Sequence, residues 1–346
     1  MLPTGMNAVR ATLRAVGATV SRRRVAPTLM TKCRGTLQRA PTICCLLFLF
    51  LAGCQPEPAD RLSLGSRLLD SGEVEEAVIE LKKALEVSPK NTQARILMGQ
   101  AYEKQGKSEE ALQEYKRATE DNPRSASAHA SLGLAYSRKG MLDEAVTELK
   151  VVVNTYPRMA EPHYMMGMVY GEKGMPEEAI KEFKKAVELE PNYAEAHLYL
   201  GLAYDSMDMY GEAIGEYKEV LALRPQDAVA SINLAEAHKN LGLTLAKGGL
   251  TPEAISHLQK ATEVHPELVD AYLHLAELYE EHGQFEAAIT EYRKAIGVDP
   301  ELASAHQALA TVLQKAGLTE EAEKELAIYR KLGKKATRQQ AVDSSQ

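Results

Sequence analysis

Residues 160–191 read AEPHYMMGMVYGEKGMPEEAIKEFKKAVELEP. Gly167, Tyr170, Ala179 and Pro191 return 34 residues earlier and 34 residues later, and the offset of Phe183 stays large, as Leu149 and Tyr217. Self-similarity at a fixed period marks a repeat array, in which each unit buries its apolar face against the next. The core of an array grows along one axis, so the 346 residues need not divide into globular domains.

Eight units align when the small residue of each second helix is taken as position 20: Ala77, Ala111, Ala145, Ala179, Ala213, Ala254, Ala288 and Ala322. Position 8 is then Gly in the first six units (Gly65 to Gly242) and Ala in the last two (Ala276, Ala310). Position 24 is always large, from Leu81 and Tyr115 to Tyr217 and Leu326, and position 32 is Pro in all but the last unit. Positions 4, 7, 8 and 11 share one face of a first helix, and 20, 24 and 27 one face of a second. Small residues at 8 and 20 let two helix backbones approach closely, and large residues at 11 and 24 fill the space beside that contact. Gly at position 15 ends the first helix through a left-handed residue, with Asp208 in its place in unit five. Acidic openings such as Glu177-Glu178 complement the positive end of the second helix. Thr251-Pro252 reads as a cap followed by a first-turn proline.

This pattern closely resembles the tetratricopeptide repeat (TPR). The resemblance implies an all-α solenoid of eight helix-turn-helix repeats, wound as a right-handed superhelix with its first helices lining a concave groove. The array occupies residues 60–333, with units at about 58–91, 92–125, 126–159, 160–193, 194–227, 228–268, 269–302 and 303–333. The polar tail 334–346 is expected to be disordered.

One interval breaks the period. Pro225 and Pro266 are seven residues too far apart. Seven residues make two helical turns with about 20° of drift, so 227–247 can continue as one long helix projecting about 10 Å. The alternative is a loop that bulges near Asn240-Leu241-Gly242.

The amino-terminal part is chemically different. Residues 1–53 carry eight Lys/Arg and no Asp/Glu; the 41 basic side chains less these eight leave 33 against 48 acidic, a balance of −15. So acidic a body repels phosphate backbones, and nucleic acid is not an expected partner. The apolar run Ile43–Leu51 is too short to span a bilayer and suits a secretory h-region. Leu51-Ala52-Gly53-Cys54 then resembles the lipobox of bacterial lipoproteins. That resemblance implies cleavage before Cys54 and acyl chains on its thiol and new amino terminus, which would tie the chain to the membrane. Gln55, where an Asp would favour inner-membrane retention, leans towards the outer membrane. Residues 54–59 form a lipidated cysteine and a short Pro/Glu tether, reaching about 15–20 Å. A start at Met30 would leave a leader of ordinary length. The rival readings are a signal sequence with a chance cysteine, or an Arg-rich organellar presequence over 1–29.

The body has no cysteine, since Cys33, Cys44, Cys45 and Cys54 all precede it. It shows no phosphate loop and no metalloprotease or hydrolase motif, so no catalytic residue, metal or cofactor is expected. His129, His163, His197, His238 and His306 recur at position 4 on successive helices, where packing is the expected role. Carboxylates such as Glu188, Glu190, Glu219 and Glu263 read as solvated faces. By the TPR resemblance, positions 2, 5, 6, 9, 12 and 13 face the groove. They include Leu134, Tyr164, Met165, Met168, Leu198, Tyr199 and Leu202, an apolar set suited to a peptide, although position 5 is also a place where burial between repeats is expected. Repeat seven offers an acidic end in Asp270, Glu277, Glu280 and Glu281. The carboxylate clamp of chaperone-adaptor TPRs would need Lys and Asn at set positions of three consecutive repeats, which no stretch supplies. The expectation is a non-enzymatic, lipid-anchored periplasmic scaffold that holds a protein or peptide segment and helps assemble an envelope complex. Pilus, barrel-assembly and polysaccharide-export systems are settings by fold analogy alone. The alternatives are an intracellular or organellar adaptor without lipid, and a groove that binds a small ligand or substrate.

Overall fold

The computed structural model describes residues 58–343. The basic leader, Ile43–Leu51, Cys54 and most of the tether lie outside the described residues. Every element among the described residues is helical. The chain divides into two compact units that part between Met175 and Pro176.

The first unit holds α1 (Pro58–Ser71), α2 (Val74–Val87), α3 (Thr92–Lys104), α4 (Ser108–Asp121), α5 (Ala126–Arg138), α6 (Leu142–Thr155) and α7 (Ala160–Lys173). The second holds α8 (Pro176–Leu189), α9 (Ala194–Asp205), α10 (Tyr210–Leu223), α11 (Ala228–Lys247), α12 (Thr251–Val264), α13 (Val269–Glu281), α14 (Phe285–Val298), α15 (Ala303–Lys315) and α16 (Thr319–Asp343). Within each unit a helix packs on its neighbours in sequence, and first helices also touch the first helix of the next repeat. Each unit is thus an all-α run of stacked hairpins, with contacts confined to adjacent repeats.

The position rules explain the packing. All eight position-20 alanines are at most 1% exposed. A Cβ added at Gly201 would lie 2.6 Å from the Tyr217 ring, so the missing methyl is what lets the ring lie flat across the first helix. The turns between paired helices close through left-handed glycines, with φ from +69° to +88°. Asp208 takes that conformation at φ +58°, and the Met209 amide still donates to the Tyr204 carbonyl at 3.0 Å, as at the glycine turns. Asp208→Gly is therefore expected to raise stability by about 0.5 kcal/mol, the left-handed cost less the Tyr210 hydroxyl bond to Asp208 that it forfeits. Urea midpoints of the two proteins check this; a lower midpoint would show that the Tyr210 bond outweighs the strain.

The long interval is one continuous helix. α11 runs 20 residues and carries no loop at Asn240-Leu241-Gly242. It holds two registers. Its N-cap, Asp227, accepts from the Ala230 amide at 3.0 Å, as Asn91 does for Ala94 and Ser125 for Ala128. That cap stands thirty-four residues after Tyr193, the cap of α9, so the first half of α11 keeps the phase of repeat five. Gly242 meets Leu258 and the Ala254 carbonyl, so the second half pairs with α12 in the phase of repeat six. The two phases differ by seven residues, or about 10 Å of helix.

Two local expectations change. The N-cap of α12 is Leu250; Thr251 is the first helical residue, and its hydroxyl meets His282 Nε2 at 3.2 Å. The polar tail is helical as far as Asp343, because Lys, Ala, Arg and Gln are strong helix formers.

Candidate partner-binding surface

The seven expected groove residues fall into two groups, one in each unit. In the first unit, Leu134 on α5 and Met165 and Met168 on α7 are half-buried, while Tyr164 is only 4% exposed. In the second, Leu198 and Leu202 on α9 are half-buried, and Tyr199 is 4% exposed with its ring stacked 6.0 Å from Phe183. The two tyrosines contribute to the packing between elements. The leucines and methionines offer the open apolar surface.

The second unit has more of that surface than the sequence alone suggested. Val229 and Ile232 on α11 are 41% and 45% exposed. Counted from the Asp227 cap, Ile232 occupies the place that Leu198 holds relative to Tyr193, so both belong to the row that α9 presents. Alignment on Ala254 alone hides this, because it reads α11 in its second phase only. The Asp227 cap was the signal that could have exposed it.

The position-4 side chains do more than fill space. His129 Nδ1 lies 2.6 Å from Glu148 Oε2, with Nε2 3.1 Å from the Pro123 carbonyl. His197 makes the same two contacts with Glu216 and Pro191, and His306 with Glu325 and Pro300. Arg61–Glu80 and Arg95–Glu114 repeat the arrangement with a guanidinium. A base at position 4 and an acid at position 23 thus clasp the two helices of a repeat, and the closing proline of the preceding repeat lends its carbonyl. Glu216 raises the His197 pKa through its hydrogen bond; burial opposes it, and the Pro191 carbonyl adds to the rise. Repeats six and seven depart from the rule: His238 Nδ1 faces His257 Nδ1 at 2.9 Å, and position 4 of repeat seven is Tyr272. Among the described residues, no three His, Cys, Asp or Glu side chains are placed to hold a metal ion.

Carboxylates at Glu188, Glu219 and Glu263 are exposed, whereas Glu190 is half-buried. The acidic end of repeat seven is partly neutralised, since Glu280 takes Lys315 at 2.7 Å, and Glu277 Oε2 lies 3.0 Å from His274 Nδ1. No described helix is long and apolar enough to cross a membrane.

A family model described as TPR repeat matches residues 65–106, 99–140, 172–208 and 281–317. Models described as tetratricopeptide repeat match 131–158, 194–227 and 245–295. No curated protein matches the chain. Among solved structures, the C-terminal part of a TPR repeat-containing protein from Cytophaga hutchinsonii is 18% identical, covers 72% of this chain and 99% of its own, and superposes with a TM-score of 0.59. Pseudomonas aeruginosa pilF is 20% identical over 60% of this chain and 92% of its own, with a TM-score of 0.49. YrrB, a TPR protein with an unusual peptide-binding site, is 26% identical over 55% and 95%, with a TM-score of 0.45. The Cytophaga structure shares the fold and carries no more than that. Since the family models run through most of the helical array, the chain belongs to the tetratricopeptide repeat family.

Proposed function

We propose that this protein is a non-enzymatic scaffold, lipid-anchored through Cys54 in the bacterial outer membrane and facing the periplasm, which holds a segment of a protein partner against the first helices of its repeats. The observation that carries the reading is the apolar row Leu198, Leu202, Val229 and Ile232 on the adjacent helices α9 and α11. Single exposed apolar side chains are ordinary, but a row along one face has a use. Covering such side chains contributes roughly 1–2 kcal/mol each, enough for a modest, specific grip on an extended or helical segment. The Leu134, Met165 and Met168 group gives the first unit a similar surface, with methionine supplying adaptable contacts.

A photo-crosslinking residue at 202, introduced in living cells, tests the groove. One protein partner should be captured from position 202 and not from the outward position 263. Ile232→Asp should reduce that capture at least tenfold, about 1.4 kcal/mol of binding, without loss of helical content. Equal labelling from both positions, or capture of small ligands alone, would count against the scaffold. Mass spectrometry of the mature amino terminus tests the anchor separately. An unmodified Cys54 would favour an adaptor without lipid.

A further inference from the structure

Along α9, Leu198 and Leu202 are followed one turn later by Asp205, which continues the same row. Asp205 stands twelve residues after its N-cap, Tyr193. Glu103 and Glu280 occupy the same place after Asn91 and Leu268. All three carboxyl groups meet the position-24 tyrosine of the paired helix. Glu103 meets Tyr115, Tyr292 donates to Glu280 at 3.1 Å, and Tyr217 donates to Asp205 Oδ2 at 2.5 Å.

Glu103 and Glu280 also hold a cation from the following repeat. Arg138 pairs with Glu103, and Lys315 with Glu280 at 2.7 Å; each cation stands thirteen residues after its own cap, Ser125 or Leu302. Thirteen residues after Asp227 stands Asn240, which has no charge. The cation that repeat six does possess is Lys247, five residues past Gly242 as Arg138 is past Gly133. The seven extra residues of α11 have carried it about 10 Å out of reach. Lys239 is engaged elsewhere, its ammonium 2.5 Å from Glu236. Asp205 Oδ1 is left covered and without a hydrogen bond. Burial pushes this carboxyl up to about 7, the Tyr217 hydroxyl holds it down, and the Glu236 charge adds to the rise. The side chain as a whole is only half-buried, and carboxylate χ2 is soft, so a small turn presents Oδ1 to a ligand.

We propose that Asp205 receives a lysine or arginine side chain of the bound segment, whose apolar residues lie on Leu198 and Leu202. The partner's cation would replace the one that Arg138 and Lys315 supply within the chain elsewhere. Leu198 and Asp205 are two turns apart, about 10 Å, which an extended partner spans with about three residues. The expected motif is therefore an apolar residue, two of any kind, then Lys or Arg. This rests on the groove reading above.

The test uses the full chain and two pools of fluorescent nonapeptides, with Leu at the third position and either Lys or uncharged norleucine at the sixth, the rest randomised. The Lys pool should bind at least tenfold more tightly. Asp205→Asn should abolish the difference. Asn240→Lys should do the same by supplying the cation from α11. It should also lower the pKa of the Asp205 carboxyl, followed by ¹³C NMR, in the absence of peptide. Equal binding of the two pools, weakened alike by Leu202→Asp, would overturn the proposal and leave the groove standing. Binding of neither pool, or an Asp205 carboxyl unmoved by Asn240→Lys, would also overturn it, while the crosslinking experiment judges the groove by itself.

Discussion

Tyr217→Ala is expected to destabilise the second unit by about 4 kcal/mol. The ring is fully buried and lies against Gly201, which has no side chain of its own to fill the space the ring leaves. Its hydroxyl is also the one donor that Asp205 has, at 2.5 Å. Large-to-small changes at such sites cost the lost transfer energy plus a cavity term, and the stranded carboxyl adds to both. Tyr217→Phe should separate the contributions, costing about 1–2 kcal/mol through the hydroxyl alone. Tyr217→Leu should fall between them, because Leu149 already fills the same place against Gly133. Urea unfolding followed by helical circular dichroism, with hydrogen exchange to locate the loss, reads all three. A Tyr217→Ala penalty below about 1 kcal/mol would mean that the ring-on-glycine contact does not hold the repeat together.

Acid should act on one repeat more than on its neighbours. Between pH 7 and pH 4.5, repeat six is expected to lose on the order of 2 kcal/mol through His238. This imidazole is 2% exposed and faces His257, with Lys218 on α10 and Lys260 on α12 also near. Burial first, then His257 and the two lysines, push its pKa down to about 4; burial likewise lowers that of His257. The unfolded chain therefore binds more protons than the folded one between about pH 6.5 and pH 4, and stability falls as pH falls through that window. His197 has the opposite sign. Its pKa is raised, so its contribution is complete below the unfolded value and is lost as pH rises through the folded one. His257→Glu should rebuild the common clasp and remove the acid loss. Hydrogen exchange of α11 and α12 amides at the two pH values decides this. Equal protection in the parent and the variant at pH 4.5 would refute it.

Much of the fold was legible because repetition multiplies weak signals. One glycine at a helix end says little; seven at one position, with Asp208 obeying the same backbone, define a turn. The position-4 clasp was not legible in the same way. His197 and Glu216 look like a packing residue and a solvated one until the two helices are set antiparallel, which brings residues nineteen apart within 2.6 Å. Tyr164 and Tyr199 show the converse, since a periodic row states which face a ring leaves from and not how far its neighbours cover it. The polar row around Asp205 was hidden for a third reason. Its meaning lies in a missing partner, and only the two complete versions at Glu103 and Glu280 show what is missing.

In the vocabulary of crystals, α11 is a dislocation. The lattice on either side is regular, and the fault is paid for locally, by an uncompensated carboxyl and two half-covered apolar side chains. Such a fault survives only if it restores phase. At about 100° per residue, seven residues miss whole turns by about 20°, eleven overshoot by about 20°, and three or four err by about 60° or 40°. A chain of this kind can therefore change length inside a helix by sevens or elevens and remain an array, and each such change creates a new, chemically distinct place along an otherwise uniform surface.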